Sequence, residues 1–194
     1  MKLTGAFADI VGRVARVMAQ EPSDSLAFGV PVAIRHRAAP TIAMAEDLRR
    51  GAILTGEVHD NYAAALGGVA GHAGLFGTAG GVGWFARAVL RASLDDRTIP
   101  SPLNSQFVHL ATRKSRVPGS SRALGWDTML PTSSCGTQMS PAAFGHVGFT
   151  GTSLWIDPVL DRYFVLLTNR VCGGGTSEEM QIVRRSFHNL VAKM

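Results

Sequence analysis

The apolar positions in the first half of the chain follow a helical period. From Phe7 to Met18 they recur every three or four residues until the polar run EPSDS interrupts them, which predicts an amphipathic helix that ends near Gln20. Residues 43–51, AMAEDLRRG, predict a short helix, because arginines followed by a glycine are typical of a helix C-terminus. The glycine-rich run 67–83 passes into a further predicted helix with one apolar face: Val82, Phe85, Ala86, Val89 and Leu90.

After Leu124 the period changes from helical to alternating. Before this point, Ser101 and Pro102 predict one more helix, which runs to about Ala111, since a serine cap followed by proline favours helix initiation. Beyond it, the turn-forming segment DPVLDR indicates a hairpin, and antiparallel neighbours are the simplest assembly. Three short strands are predicted: Gly145–Thr150, Thr152–Asp157 and Tyr163–Asn169.

The end of the chain predicts a closing helix. Thr176 and Glu179 have the spacing of a capping box, and an apolar stripe follows that is expected to cover one face of the sheet: Met180, Val183, Phe187, Leu190 and Val191. Helices therefore come first, and a small sheet with a closing helix comes last. This segregation predicts an α+β fold with a three-stranded antiparallel sheet.

Composition narrows the class of protein. The 194 residues are 46% hydrophobic, which suffices for the core of one domain. The net charge of +5 comes from arginines scattered along the chain, which argues against a nucleic-acid partner. No apolar run is long enough to span a bilayer, and Asp9, Arg13 and Arg16 interrupt any signal-peptide core near the N-terminus. The compartment stays open.

Neither a metal nor a cofactor is expected. His59 and His72, with Asp60 nearby, have no third ligand at a suitable spacing. Cys135 and Cys172 lack the C-x-x-C spacing of a metal knuckle or redox motif, so two unpaired thiols are favoured, with a single disulfide as the alternative. The glycine-rich run has no Gly-Lys-Ser/Thr ending, which argues against a phosphate loop and for close backbone packing.

Three blocks of sequence carry a family resemblance. They are GEVHDNYAAALGGVAGHAGLFGTA (56–79), LGWD (124–127) and FGHVGFTGTSLWIDPVLDRYFVLLTNRV (144–171). Their order and spacing resemble the C-terminal half of the β-lactamase-related serine hydrolases, the group of class C β-lactamases, D-alanyl-D-alanine peptidases and related esterases. The resemblance implies a partial β-lactamase/DD-peptidase-like domain over residues 39–194. Residues 1–38, a helix and an irregular segment, match only weakly.

The resemblance also implies an acyl-transfer site. In this family a Ser-x-x-Lys nucleophile, a Tyr-x-Asn element and a strand with Lys or His, then Thr or Ser, then Gly converge on the substrate. His146, Val147 and Gly148 match the strand, and Thr150 follows them. The backbone N–H of Phe149 would be one oxyanion donor, and the nucleophilic serine would supply the other. The alternative for His146 is an ordinary histidine at the sheet margin.

Two of the three elements are missing from this sequence. No serine is followed three positions later by lysine, and neither Tyr62 nor Tyr163 begins a Tyr-x-Asn element. Val147 replaces the hydroxyl residue of the strand motif, and it cannot donate a hydrogen bond to a substrate. Gly81 stands where the family commonly has an acidic residue. The chain thus resembles a C-terminal fragment of the fold, and it is expected to be inactive alone.

Two function classes follow from these observations. The first is a truncated serine hydrolase whose intact relatives act on β-lactam, D-Ala-D-Ala peptide or ester substrates, in the cytoplasm or outside it. Such a chain needs an N-terminal half, on the same or another polypeptide, to work. The alternative is a non-catalytic binding or interaction module, a pseudoenzyme that keeps part of the fold. In either case the unpaired edge of the last strand is expected to favour self-association.

Overall fold

The computed structural model describes residues 41–42, 53–54, 56–99, 103–171 and 175–193. They fall into two compact units, one within 1–82 and 169–175 and the other within 83–168 and 176–194. The predicted helices at Phe7–Met18 and at 43–51 lie outside the described ranges.

The first unit contains a short hairpin and a short helix. Strand β1 (Thr41–Ile42) pairs antiparallel with β2 (Ile53–Leu54). Helix α1 (Asn61–Ala65) is capped by Asp60, whose carboxylate accepts a hydrogen bond from the Ala63 N–H at 2.8 Å and contacts His72 Nε2 at 2.9 Å. The Ala63 N–H, and secondarily His72, lower the pKa of Asp60 below its usual value.

The glycine-rich loop after α1 is tightly folded. Gly74 has a φ of 112°, and a Cβ atom there would overlap the carbonyl oxygen of Gly68. An L-residue with a side chain would meet both strain and a clash at this position. Close backbone packing, rather than phosphate binding, explains why glycine is needed here.

The second unit is built around a four-stranded antiparallel sheet of order β3-β4-β5-β6. Its strands are Asp127–Thr128, Phe144–Val147, Ser153–Asp157 and Arg162–Leu166. The three predicted strands and their consecutive pairing are confirmed, although each is shorter than predicted. Strand β3 is an addition: its two residues are too few to show any alternation in the sequence.

Helices α2 (Ala79–Ser93) and α3 (Ser105–Thr112) complete this part of the chain. The Thr78 hydroxyl accepts a hydrogen bond from the Gly81 N–H at 3.2 Å, so Thr78 caps the N-terminus of α2. Helix α3 begins later than predicted, because its cap is Asn104, which accepts a hydrogen bond from the Phe107 N–H at 3.1 Å. Ser101 and Pro102 lie outside the described ranges.

Two hydrophobic clusters form the core of the second unit. One joins α2 and α3 to the sheet: Ala86, Val89, Leu90, Ala92, Val108, Phe144 and Ile156. Trp126 packs against this cluster, stacked on Phe85 and edge-on to Phe144. The other cluster contains Cys135, Met139, Ala143, Trp155 and Phe164. Cys135 is a free thiol, and burial raises its pKa to about 12, while Cys172 lies outside the described residues.

Helix α4 (Ser177–Val191) closes the chain, and its capping box is confirmed. The predicted apolar stripe is wrong in part, because Val183 is 49% and Leu190 is 67% exposed. Met180 is buried as predicted, and the other buried positions of the helix are Arg184 and His188, which the stripe did not include. Two polar side chains thus occupy the face that packs on the sheet, and their hydrogen bonds, described below, are the reason. In the described part of the chain, no helix has the length and apolarity needed to cross a membrane.

Candidate active site

Strand β4 carries the sequence Gly145-His146-Val147-Gly148 at its end, and its first glycine is required by packing. Gly145 lies opposite Trp155 in the β4–β5 ladder. A Cβ atom at Gly145 would overlap the Trp155 indole and the carbonyl oxygen of Leu154. The indole of Trp155, which is fully buried, therefore covers a position where only hydrogen fits.

The second glycine begins the turn that joins β4 to β5. The Gly148 N–H donates to Thr152 O at 2.8 Å, and the Gly151 N–H donates to Gly148 O at 3.0 Å. A Cβ atom on Gly148 would overlap the hydroxyl oxygen of Thr152. Gly151 itself has a φ of 119°, which is outside the range of ordinary L-residues. These hydrogen bonds and the absence of side chains at the two glycines keep the ends of the turn close together.

His146 lies on the open part of strand β4. Strand β3 pairs with Phe144 and Gly145, so the described strands leave His146 and Val147 without a neighbour on this side. The His146 ring is exposed, and both of its nitrogens have partners. Nδ1 lies 2.9 Å from Val147 O, and Nε2 lies 3.1 Å from Arg122 Nη1.

These two contacts assign the tautomer of His146. A carbonyl oxygen only accepts and a guanidinium only donates, so Nδ1 carries the proton and Nε2 presents its lone pair to Arg122. The arrangement holds the imidazole in one orientation at the strand edge. It also places a permanent positive charge beside the ring.

Sequence reasoning missed Arg122. The residue precedes the LGWD block in a tight hairpin, which closes through hydrogen bonds from Thr128 N to Ser121 O at 2.7 Å and from Ala123 N to Trp126 O at 2.9 Å. Gly125, with a φ of 86°, makes the turn. The glycine in LGWD was the available signal, since it suggests a reversal that returns the chain to the sheet.

The remaining predicted site residues lie in or beside the β4–β5 turn. Val147 is half-buried opposite Ser153, and Thr150 is half-buried within the turn. The Phe149 side chain is 62% exposed. The structure therefore brings His146, Val147, Gly148, Phe149 and Thr150 together in one segment and adds Arg122 to it.

Helix α4 supports this segment from the buried side. Arg184 Nη2 donates to Gly148 O at 2.7 Å and to Thr152 O at 2.9 Å. One turn later, His188 Nε2 lies 3.0 Å from the Ser153 hydroxyl. Burial, and secondarily the charge of Arg184, lower the pKa of His188 to about 4. His188 is therefore neutral at pH 7, and its interaction with Ser153 is a buried structural hydrogen bond.

The described ranges contain no candidate metal centre. No group of three or more His, Cys, Asp or Glu side chains there is arranged to hold an ion. His72 is engaged with Asp60 in the first unit, where both side chains are partly exposed.

Proteins of known families are similar to this chain in sequence. A D-alanyl-D-alanine carboxypeptidase, so named, from Escherichia coli K12 is 37% identical over 128 residues, which are 62% of this chain and 28% of that protein. A protein of the same name from Salmonella agona is 34% identical over 125 residues, covering 60% of this chain and 27% of its own length. The chain thus spans little more than a quarter of these relatives.

A solved structure and a family model also match this chain. A β-lactamase from Mycobacterium bovis matches with a TM-score of 0.48 and 23% identity, over 61% of this chain and 44% of that one. The family model described as Beta-lactamase matches residues 22–186, which is most of the chain and includes the whole Gly145–Gly148 motif. The chain therefore belongs to the β-lactamase family.

Proposed function

We propose that this chain forms the C-terminal part of a serine acyl hydrolase, in which the His146-Val147-Gly148 strand is one wall of the acyl-transfer site. The observation that carries the proposal is the shape of this segment. Gly145 and Gly148 are required by packing, and between them His146 stands at an open strand edge with its ring fixed from both nitrogens. An edge of this kind can receive a substrate acyl group alongside the strand.

In the proposed site, each residue of the motif has a role. His146 and Arg122 form a polar, positively charged side wall. The Phe149 N–H donates to the oxyanion of the tetrahedral intermediate, and the nucleophilic serine contributes the second donor. Val147 and Thr150 border the substrate. The names of the curated relatives favour peptides that end in D-alanine as the substrate class, with β-lactams as the corresponding acylating inhibitors.

The nucleophile must come from outside these 194 residues, because no Ser-x-x-Lys occurs among them. Loss of the nucleophile and its base costs roughly a million-fold in rate in serine hydrolases. The chain alone is therefore expected to be inactive. Activity requires a segment with the serine element, carried on the same polypeptide or on another.

Covalent labelling by a fluorescent penicillin tests the proposal. We expect no label on the purified chain alone, and a label when the chain is co-expressed with the part of the Escherichia coli relative that it does not match. Replacing with alanine the serine of any Ser-x-x-Lys element in the added part is the control and should abolish the label. A label on the chain alone would show that it contains a nucleophile that the sequence does not reveal.

One observation favours the alternative of a non-catalytic module, namely Val147 at the hydroxyl position. Loss of one substrate-facing hydroxyl costs roughly 1–3 kcal/mol, or about ten- to a hundredfold in kcat/KM. We therefore expect Val147→Thr to raise kcat/KM of the completed assembly by this factor. Val147→Ile is the matched control, because it changes size without adding a donor. If the completed assemblies with Val147 and with Val147→Thr both fold but neither turns over substrate, the alternative of a non-catalytic module is correct.

A further inference from the structure

Arg184 is a charged side chain in a position that normally excludes charge. It is only 7% exposed and lies on the face of α4 that packs on the sheet. Burial of a guanidinium is costly unless its hydrogen bonds are satisfied in good geometry. The two bonds from its Nη2 atom, at 2.7 and 2.9 Å, end on the carbonyls of Gly148 and Thr152.

These two carbonyls mark the two ends of the β4–β5 turn. The same ends are bonded to each other, since the Gly148 N–H donates to Thr152 O at 2.8 Å. The far side of the turn is held by the Thr168 hydroxyl, which donates to Gly151 O at 2.7 Å. Arg184 thus adds charge-assisted hydrogen bonds to a turn that neutral hydrogen bonds also hold.

The carbonyl of Gly148 and the N–H of Phe149 belong to the same peptide group. A trans peptide is planar, and its C=O and N–H bonds point in opposite directions. A guanidinium that draws the Gly148 oxygen towards α4 therefore turns the Phe149 N–H away from the helix. A charge-assisted bond to the oxygen also polarises the peptide and strengthens its N–H as a donor.

We propose that Arg184 is a positioning residue of the acyl-transfer site, which aims and polarises the Phe149 N–H through the shared peptide plane. The role of that N–H as oxyanion donor rests on the proposed function above. This role gives a reason for the burial of an arginine on the face of α4 that packs on the sheet. It also makes the closing helix a part of the site, although no residue of the helix belongs to the family motif.

The chain offers a matched control on the same helix. The neighbouring Arg185 is also bonded to backbone carbonyls, with Nη1 donating to Ser133 O at 2.8 Å and to Pro131 O at 3.2 Å. These carbonyls lie in a loop outside the β4–β5 turn. Arg184→Met and Arg185→Met therefore remove the same chemical group from two different backbone segments.

Amide NMR on the full chain measures the effect. In Arg184→Met we expect the Phe149 nitrogen to move upfield, because its peptide loses the charged partner, and the Gly148 and Gly151 amides to exchange at least tenfold faster than in the wild type. In Arg185→Met these three signals stay unchanged. In Arg184→Lys the Phe149 shift is partly restored, since one ammonium can still reach a carbonyl. An unchanged Phe149 nitrogen in a folded Arg184→Met variant would overturn the proposal.

If Arg184→Met does not fold, a measurement on the wild type tests the proposal instead. Scalar couplings across the hydrogen bonds should connect the Arg184 guanidinium with the carbonyl carbons of Gly148 and Thr152. A rotating, solvent-averaged guanidinium signal would overturn the proposal just as well. Both experiments use the chain without any added part, so they are independent of whether the completed assembly reacts with penicillin.

Discussion

Gly145 shows how a single residue sets the shape of the proposed site. The position has ordinary strand geometry, and the need for glycine comes from the Trp155 indole that covers it. A methyl group there forces the indole or the Leu154 peptide to move. Overpacking of this kind typically costs about 1–3 kcal/mol.

We expect Gly145→Ala to lower the free energy of unfolding by about 2 kcal/mol, as measured by urea denaturation. Gly83→Ala is the matched control, because a Cβ there meets only the Tyr163 ring at 3.2 Å, and that side chain is 38% exposed and can move. Alanine gains up to about 1 kcal/mol over glycine within a helix, so the control should be neutral or stabilising. Equal destabilisation of both variants would contradict this account.

Arg122 is expected to fix the tautomer of His146, because its guanidinium donates to Nε2. In the wild type, long-range proton–nitrogen spectra should show the His146 proton on Nδ1 alone. In Arg122→Met the donor to Nε2 is lost, so we expect both tautomers to be populated. Arg116→Met, which removes an exposed arginine nearby in the sequence, should leave the spectrum of His146 unchanged. A wild-type ring with its proton on Nε2 would show that the Arg122 contact does not form.

The buried histidine of helix α4 makes the stability of the folded chain depend on pH. His188 is fully buried, its Nε2 bonds with Ser153, and the described residues offer its Nδ1 no hydrogen-bond partner. The rings of Phe164 and Phe187 pack against the imidazole in T-shaped arrangements. Since the folded pKa is about 4 and that of an unfolded histidine is about 6.5, the unfolded chain binds the proton first as pH falls.

We therefore expect the contribution of neutral His188 to be complete above about pH 6.5 and to be lost as pH falls towards 4. The loss amounts to about 3 kcal/mol at most. Urea denaturation at pH 7 and at pH 4.5 measures it. His188→Gln should flatten this pH dependence, because an amide stays neutral, whereas His109→Gln, at an exposed position of α3, should not. A wild-type pH profile identical to that of His188→Gln would rule out this role.

Strand β6 forms one edge of the described sheet, and this edge bears on how whole molecules associate. It pairs with β5 on one side, and the order β3-β4-β5-β6 leaves its other side without a strand partner in the part of the chain described. Unpaired backbone groups beside apolar side chains are a template for pairing with another chain. We expect this edge to drive self-association, or to accept a strand from the nucleophile-bearing segment that the proposed function requires.

Light scattering after size-exclusion chromatography measures this association. Leu167 directly follows β6 and is 39% exposed, so Leu167→Lys should shift the chain towards monomer because a charge at the edge opposes strand pairing. Leu160→Lys changes the same residue type at 37% exposure in the β5–β6 turn, away from the edge, and should have little effect. A wild-type chain that stays monomeric at all concentrations would contradict the expectation.

The agreement between the predicted and the observed elements varies along the chain. The strands, their hairpin and the capping box of α4 could be predicted, because each depends on residues close together in sequence: alternation, a turn segment, and a Thr-x-x-Glu spacing. The Gly145–Gly148 motif was found by family resemblance. Strand β3 and Arg122 were missed, since a strand of two residues and a long-range contact leave little local pattern.

The sequence by itself determined the α+β order of elements and the absence of a Ser-x-x-Lys from these residues, because both can be read from neighbouring positions. Only the tertiary structure decided which face of α4 is buried. Helical periodicity ranks residues by hydrophobicity and placed Val183 and Leu190 inside, whereas Arg184 and His188 are buried because the Gly148 and Thr152 carbonyls and the Ser153 hydroxyl are their partners. A buried polar group is stable only where such partners exist, and their positions are set by the sheet and not by the helix sequence.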